Sequence, residues 1–188
     1  MVENTRYRSH KGRIFVDLKL RQISQLFDSR DPSPFLERDL DDDAVDYIVS
    51  ACMEHNSSVP IELVIHLPDA SALTVEPEIV IEGVHNHFEY NAELIRKKLR
   101  RTMRTAQLSF AAGTIVLFTC LSLAQAYTAQ DYPYANILRE GLHIMGWVAM
   151  WRPIDIFLYS WWPQVEMRRL FVKLSEVPVQ FKFNDQPS

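Results

Sequence analysis

The sequence predicts an α/β (α+β) fold: a small cytosolic domain with a mixed three-strand sheet, plus a two-helix transmembrane hairpin inserted before the last strand. Three observations predict it. Short segments in which apolar and polar residues alternate indicate strands. A long uncharged segment indicates a membrane span. Lys and Arg border the apolar region at both ends, which is typical of chain that stays in the cytosol.

A strand–helix–strand unit is predicted first. Residues 13–20 alternate apolar and polar side chains, which indicates a half-buried strand. Residues 39–55 are predicted to form a helix, with aspartates 41–43 in its first turn, where carboxylates complement the positive helix end. Residues 61–67 alternate again and are predicted to form a second strand. If the two strands are parallel, the crossover between them should be right-handed.

Three further segments complete the predicted domain. Residues 30–35, RDPSPF, form a turn-rich loop because two prolines exclude regular helix there. Residues 177–183 alternate and predict a third strand, in which Pro178 suits an edge position. Residues 1–12 are polar, lack the apolar core of a secretory signal, and are expected to be disordered.

A long helix is predicted to follow the second strand. Thr74 can cap it, and Pro77 suits its first turn. Its apolar stripe recurs at helical spacing and comprises Val80, Val84, Phe88, Ile95, Leu99 and Met103. This stripe favours one helix that continues without a break into the first span, although residues 78–83, EIVIEG, could instead form a short strand.

The first predicted span lies within residues 105–130, which contain no charged side chain. A bilayer core of about 30 Å needs about 20 mostly apolar helical residues, and residues 108–127 meet that requirement. A basic block precedes the span and comprises Arg96, Lys97, Lys98, Arg100, Arg101 and Arg104. Because Lys and Arg next to a span stay cytoplasmic, the residues before the block are expected in the cytosol, with the protein in the inner (plasma) membrane.

The second predicted span, residues 141–162, mixes apolar residues with charged ones. Arg152 and Asp155 would each cost about 2.5–3.5 kcal/mol at membrane depth. They are three residues apart on a helix and can therefore pair, which lowers that cost.

The borders of this predicted hairpin follow the same logic. Residues 126–136 carry three tyrosines and would form the loop on the far side, within the aromatic interfacial belt. Trp161 and Trp162 would mark the cytoplasmic interface, and Arg168 and Arg169 would lie just beyond it. Both chain ends are then expected in the cytoplasm.

The predicted organisation has four parts. They are a disordered N-terminus at 1–12, a cytosolic α/β domain at 13–104, a transmembrane hairpin at 105–163, and an amphipathic segment with a returning strand at 164–188.

Composition narrows the functional classes. The chain has 188 residues, a net charge of -4 and a mean hydropathy of -0.12. Acidic residues crowd the region 28–93, so the basic face that a nucleic-acid-binding domain needs is not expected. Cys52 and Cys120 fall in the predicted domain and in the first span, so they should be unable to pair and are predicted to be free buried thiols.

Three stretches are informative as a set: DPSPFLERDLDDDAVDYIV at 31–49, HFEYNAELIRKKLRR at 87–101 and GLHIMGWVAMWRPIDIFLYSWWP at 141–163. Together they resemble a family of bacterial two-span inner-membrane proteins to which no activity is assigned. The last stretch, with its Trp-Arg-Pro and Trp-Trp-Pro elements, is the most specific. The resemblance implies the two-span topology and no particular function.

A metal site is a weak alternative. His85 and His87 lie in HNHFE, and His66 ends the second strand, so the three could converge. A spacing of two residues on a helix is poor for shared ligation, which favours ordinary polar residues. The aspartates at 39–46 resemble a calcium-binding run, but the mid-loop glycine and final glutamate are missing, so helix capping explains them better.

The ionisable residues of the second predicted span carry the sharpest functional signal. Arg152 and Asp155, together with His143, could form a proton or ion relay, since such groups at membrane depth usually face a partner or a pathway. The structural alternative is an internal ion pair beside Pro153, or an amphipathic helix that enters only one leaflet.

Two other features have a structural and a functional interpretation. Ser109 and Gly113 form a small-xxx-small pair, which suits close packing within the hairpin or between copies. The basic block, with Arg168 and Arg169, could bind anionic lipid headgroups or simply fix the topology.

The sequence contains no glycine-rich phosphate loop, nucleophile elbow or Cys-x-x-Cys motif, so neither an enzyme nor a cofactor is predicted. The first hypothesis is a membrane-anchored adaptor that binds a protein partner or its own copies at the cytoplasmic face. The alternative is a subunit of an oligomeric ion or proton conductor that uses Arg152, Asp155 and His143. A third, weaker hypothesis is a metal-dependent enzyme that uses His66, His85 and His87.

Overall fold

The computed structural model describes residues 8–10, 13–54, 59–128 and 134–183. The chain divides into two units. The first, here called the α/β unit, comprises Met1–Glu93 together with Arg168–Ser188, and the second, here called the helical unit, is Leu94–Met167. Each has its own packing and is considered by itself below.

A four-stranded sheet organises the α/β unit. Its strands are β1 (Arg8–His10), β2 (Arg13–Lys19), β3 (Ile61–Leu67) and β4 (Val179–Phe183), in the order β1-β2-β3-β4. β1 is antiparallel to β2, whereas β2, β3 and β4 are mutually parallel. The register places Val16 beside Leu63 and Leu63 beside Val179.

The predicted mixed three-strand sheet is therefore wrong. The three predicted strands are all parallel, because long crossover segments separate them in the chain and return each strand in the same direction. The antiparallel strand is β1, which lies in the segment expected to be disordered; the rest of that segment, 1–7 and 11–12, is outside the described residues. The three residues of β1, Arg-Ser-His, carry no apolar alternation, so no local pattern indicated a strand there.

One face of the sheet holds the core. Crossovers between neighbouring parallel strands are right-handed as a rule, and two such crossovers that advance in one direction across a sheet place their helices on the same face. The core agrees with this arrangement, since Val16, Leu63 and Ile65 cluster with helical Ile48 and Phe88. The opposite face carries polar side chains, which include Asp17, Lys19, His66 and Lys182.

Helix α1 (Asp42–Met53) forms the first crossover. Asp41 is its N-cap, and the Asp41 side chain accepts a hydrogen bond from the backbone N–H of Asp43 at 3.1 Å. Within the run of aspartates that resembles a calcium-binding sequence, Asp41 thus caps the helix, and Asp42 and Asp43 lie in its first turn, as the sequence favoured. Cys52 is buried on this helix, and burial raises the pKa of its thiol to about 11.

Helix α2 (Pro77–Thr128) is a single helix of 52 residues. It confirms the predicted unbroken helix and excludes a strand at residues 78–83. The helix begins at Pro77, so Glu76 rather than Thr74 precedes it. Val80, Val84 and Phe88 are fully buried in the core of the α/β unit.

Three helical segments follow. Helix α3 (Ala135–Asp155) ends in a π-helical turn (Ile156–Ser160), and helix α4 (Trp162–Leu174) leads back to β4. The middle of the predicted far-side loop, residues 129–133, lies outside the described residues, and α2 and α3 extend into its two ends.

The predicted two-helix transmembrane hairpin is wrong. Within the described part of the chain, only α2 is long and apolar enough to cross a membrane, over Pro77–Ala126. Charged residues near both ends of α3 leave an uncharged run of residues 141–151, which is about 16 Å long at 1.5 Å per residue. That is about half of a bilayer core. The predicted segment 141–162 also joins α3, the π-helical turn and the start of α4.

Candidate membrane-binding surface

The helical unit exposes large apolar side chains along both of its long helices. On α2, Leu108, Ile115 and Phe118 are each at least 64% exposed, and on α3 Trp147 and Trp151 are 67% and 75% exposed. Only 17% of the most apolar window of α2 is buried. The core helix of a water-soluble domain would bury most of such a window. This surface is therefore far more apolar than water-exposed protein surfaces normally are.

Helices α2 and α3 pack through glycines. A Cβ on Gly113 would lie 2.8 Å from the carbonyl oxygen of Ala149, and a Cβ on Gly146 would lie 2.9 Å from Cδ1 of Leu117. These two contacts show that the helices are antiparallel. Small residues allow backbones to approach this closely, as in lipid-embedded helix pairs.

The Ala149 carbonyl explains why a glycine faces it. Residue 153, which would donate to this oxygen in a regular helix, is a proline without an N–H. Gly113 lets the α2 backbone approach that oxygen, because a Cβ at this position would lie only 2.8 Å from it. Ser109, the predicted partner of Gly113, lies one turn away and is half-buried. Gly146 was not among the predicted packing residues, although a glycine inside an uncharged helical run can indicate close helix packing.

The predicted headgroup-binding residues lie mostly on α2. All six side chains of the predicted basic block, Arg96, Lys97, Lys98, Arg100, Arg101 and Arg104, are exposed. Arg169 is exposed on α4, whereas Arg168 is half-buried. Trp162 is exposed at the start of α4, and its indole N–H donates to a carboxylate oxygen of Glu166 at 2.8 Å. Because α2 and α3 are antiparallel, this tryptophan lies at the same end of the helical unit as residues 96–104.

The predicted ion pair of α3 is present. Nη1 of Arg152 lies 3.9 Å from Oδ2 of Asp155, and the two side chains are 77% and 42% exposed. His143 is nine residues before Arg152, so on a helix it lies about 180° around the axis and about 13 Å along it. The structure therefore brings Arg152 and Asp155 together and places the third member of the predicted relay on another face.

The three predicted metal candidates have separate partners. Nε2 of His66 lies 2.7 Å from Oδ1 of Asp17, and Nε2 of His85 donates to the carbonyl oxygen of Val177 at 2.8 Å. His87 contacts Oδ1 of Asp39 at 3.1 Å through Nδ1. No group of three potential metal ligands converges anywhere in the described ranges. The two cysteines belong to different units, and both are free and buried.

A polar groove of about 500 Å³ lies on the α/β unit beside His87. Its lining includes Asp31, Leu36, Asp39 and Tyr90. The Asp31 carboxylate accepts the backbone N–H of Asp39 and the backbone N–H of Ser33, both at 2.9 Å, which lowers the pKa of Asp31 to about 2. Through these two hydrogen bonds, Asp31 stabilises the loop that forms one wall of the groove. The spacing of residues in the sequence did not predict this groove.

Comparison with protein-family models, with curated proteins and with solved structures found no match for this chain. The structure itself defines a class: an α/β unit with its own core and a helical unit, with one helix in the described ranges, α2, that begins in the first unit, continues into the second and is able to cross a membrane by length and composition.

Proposed function

We propose that the protein is a membrane-anchored adaptor, in which the helical unit inserts into lipid and holds the α/β unit at the membrane surface. The exposed apolar surface of α2 and α3 carries this proposal. Side chains such as Ile115 and Trp151 would be unfavourable in water, and lipid removes that cost because about 25 cal/mol is gained per Å² of apolar surface withdrawn from water.

The sheet and the basic block support a cytoplasmic position for both chain ends. β3 precedes the helical unit, β4 follows it, and the two strands are hydrogen-bonded neighbours. The chain on both sides of the helical unit is therefore proposed on one side of the bilayer, from which α2 and α3 enter the lipid without forming the two complete spans of a hairpin. Six Lys and Arg residues at 96–104 favour the cytoplasmic side of the inner (plasma) membrane.

The α/β unit is the part that would bind a partner protein or a second copy of the chain. Its core is formed without the helical unit, and so it remains a separate folded module when the helical unit is in lipid. Its exposed carboxylates, such as Asp42 and Asp43, give the partner a polar surface to recognise.

Lipid insertion is tested with Ile115→Lys, which places a charge on the exposed apolar surface at a cost of about 2.5–3.5 kcal/mol in hydrocarbon. Membranes are washed with alkaline carbonate, and the chain that remains is measured by immunoblot. The wild type is expected to remain in the membrane pellet and Ile115→Lys to be depleted. The matched control, Gln22→Lys, adds the same charge at an exposed site of the α/β unit and should behave as wild type.

Recovery of the wild type in the carbonate supernatant would contradict anchoring. Equal retention of Ile115→Lys and wild type would show that this surface does not contact lipid.

Partner binding is tested by affinity purification in mild detergent. The wild type should yield a stoichiometric companion or a defined oligomer. Replacing Asp41, Asp42 and Asp43 by Asn should reduce that recovery, whereas replacing Glu78, Glu82 and Glu89 by Gln removes the same charge on α2 as a control. Isolation of the wild-type chain alone, as a monomer, would contradict the adaptor proposal.

A further inference from the structure

One face of α2, just before the uncharged run, is formed entirely by cations. At about 100° per residue, five side chains fall within an arc of about 140°. This set, here called the basic stripe, comprises Arg96, Lys97, Arg100, Arg101 and Arg104. All five are exposed. The stripe rises about 12 Å along the helix axis.

The opposite face of the same turns is apolar and packed. Ile95, Leu99 and Met103 are half-buried, and Ala106 is fully buried. The cations therefore point away from the packed side of α2 and towards whatever surrounds the helix at this level.

The charges of the last three cations of the stripe are not balanced along their own helix. Residues 94–130 contain no Asp or Glu, so Arg100, Arg101 and Arg104 have no carboxylate within one turn on α2. Helical ion pairs normally use that spacing. A ligand of negative charge therefore complements the stripe.

The position of the stripe next to the uncharged run indicates which negatively charged ligand it meets. The uncharged run begins at Thr105, directly after the last cation of the stripe. If that run lies in the hydrocarbon layer, the stripe covers the headgroup layer and the water just above it. Phosphate groups occur there at high density, and guanidinium groups bind phosphate oxygens in a bidentate manner.

We propose that the basic stripe binds the headgroups of anionic phospholipids, with phosphatidylglycerol as the simplest example, in preference to zwitterionic ones. The inference rests on the proposed lipid anchoring and adds a specificity to it. A zwitterionic headgroup carries its own cation beside the phosphate, whereas an anionic headgroup leaves the negative charge for Arg100, Arg101 and Arg104.

The test is native mass spectrometry of the full chain, purified in non-ionic detergent and mixed with equal amounts of phosphatidylglycerol and phosphatidylcholine of identical acyl chains. The wild type should retain more phosphatidylglycerol. Replacing Arg100, Arg101 and Arg104 by Gln should reduce the ratio of the two bound lipids by at least about tenfold, since each cation near an anionic surface contributes about 1 kcal/mol. Lysine at these three positions keeps the charge and should preserve most of the preference.

The matched control removes three cations from the α/β unit by replacing Lys19, Arg21 and Lys182 with Gln, and its lipid ratio should equal that of the wild type. The wild type alone gives a second readout. Its preference should fall as salt is raised, because headgroup attraction is screened over about 10 Å at 0.1 M. This readout does not depend on whether the triple variant folds.

Equal retention of the two lipids by the wild type would overturn the inference while leaving carbonate-resistant anchoring intact. An unchanged ratio in the Gln variant, or preferential binding of an RNA oligonucleotide at the stripe, would overturn it as well. Loss of the wild type from carbonate-washed membranes would instead remove the anchoring on which the inference rests.

Discussion

His87 shows how burial sets the protonation of one side chain. The His87 side chain is only 9% exposed, and this burial lowers the pKa of its imidazole. The Asp39 carboxylate, 3.1 Å away, acts in the opposite direction and is the smaller effect. Asn91 donates to the His87 carbonyl oxygen at 2.9 Å and contacts Nε2 at 3.1 Å. The folded state therefore favours neutral His87 near pH 7.

The α/β unit should lose stability as the pH falls below the ordinary histidine pKa of about 6.5. Below that value the unfolded chain binds a proton that folded His87 resists, so unfolding takes up protons and the folded state is weakened until the lowered pKa is passed. Thermal unfolding followed by circular dichroism between pH 7 and pH 5 measures the slope. Replacing His87 by Gln should flatten it, and an unchanged slope would contradict this role.

Asp31 marks a separate pH range. Its pKa of about 2 means that its contribution is lost only in acid, between its usual value near 3.8 and about pH 2. The two groups therefore act in different windows, and His87→Gln should leave the acid transition below pH 4 in place.

The sequence identified histidines that make polar contacts but did not identify their partners. His66, His85 and His87 were metal candidates because imidazoles bind metals. Their partners are set by strand register and by the return of the chain after α4, since Asp17 is 49 residues from His66 and Val177 is 92 residues from His85. Contacts over such separations depend on tertiary structure, which local patterns do not contain.

At the scale of elements, close packing of α2 on α3 depends on which positions lack a side chain. Gly113 faces a backbone oxygen, which cannot move aside without shifting its helix. Gly146 faces the end of a leucine side chain, which can rotate. At Gly141 no atom beyond its own stretch of helix lies within 4 Å of the position that a Cβ would take, so a substitution there mainly changes helix propensity.

Gly113→Ala should destabilise the helical unit by about 1–3 kcal/mol, because the added methyl group overlaps the Ala149 carbonyl and forces the helices apart. Gly141→Ala is the matched control and should be neutral or stabilising by about 0.5–1 kcal/mol, since alanine favours the helix. Thermal unfolding in detergent micelles, followed by helical circular dichroism, compares the two. Equal midpoints for both variants would show that the glycine contact is not tight.

Elements with a strong local pattern were predicted well. The second predicted strand coincides with β3, and the long helix runs through the basic block as its apolar stripe indicated. The prediction of a second span failed at residues 141–162. Their length and average apolarity indicated one span, but the segment includes charged residues and Pro153 and divides into the end of α3, a π-helical turn and the start of α4. β1 failed because three polar residues give no pattern and pair only because β2 offers an edge.

At the scale of the whole molecule, the core of the α/β unit draws on both ends of the chain. The core extends from Ile14 to Phe88 and resumes at Leu174 and Val177, so the described core residues all lie outside the helical unit. The helical unit is thus an insertion in the sequence of an otherwise continuous module.

Replacing residues 94–167 by a flexible Gly/Ser linker should therefore leave a soluble, folded α/β unit. We expect a single cooperative thermal transition without detergent. A chain ending at residue 93 is the control, and it should unfold at lower temperature because it lacks β4 and the buried Leu174 and Val177. Aggregation of the linked chain, or equal stability of the two, would show that the helical unit is needed for folding.

The pairing of β3 with β4 also orders events during synthesis. A ribosome completes β3 at Leu67 but does not reach β4 until Val179. At a synthesis rate of roughly 5–20 residues per second, the edge of β3 that pairs with β4 remains unpaired for on the order of ten seconds. In that interval the ribosome synthesises the helical unit, which contains the most apolar segment of the chain. If the helical unit enters lipid during synthesis, as the proposed anchoring allows, it does so before the sheet is complete, and any cellular factor that receives the chain meets an α/β unit that still lacks β4.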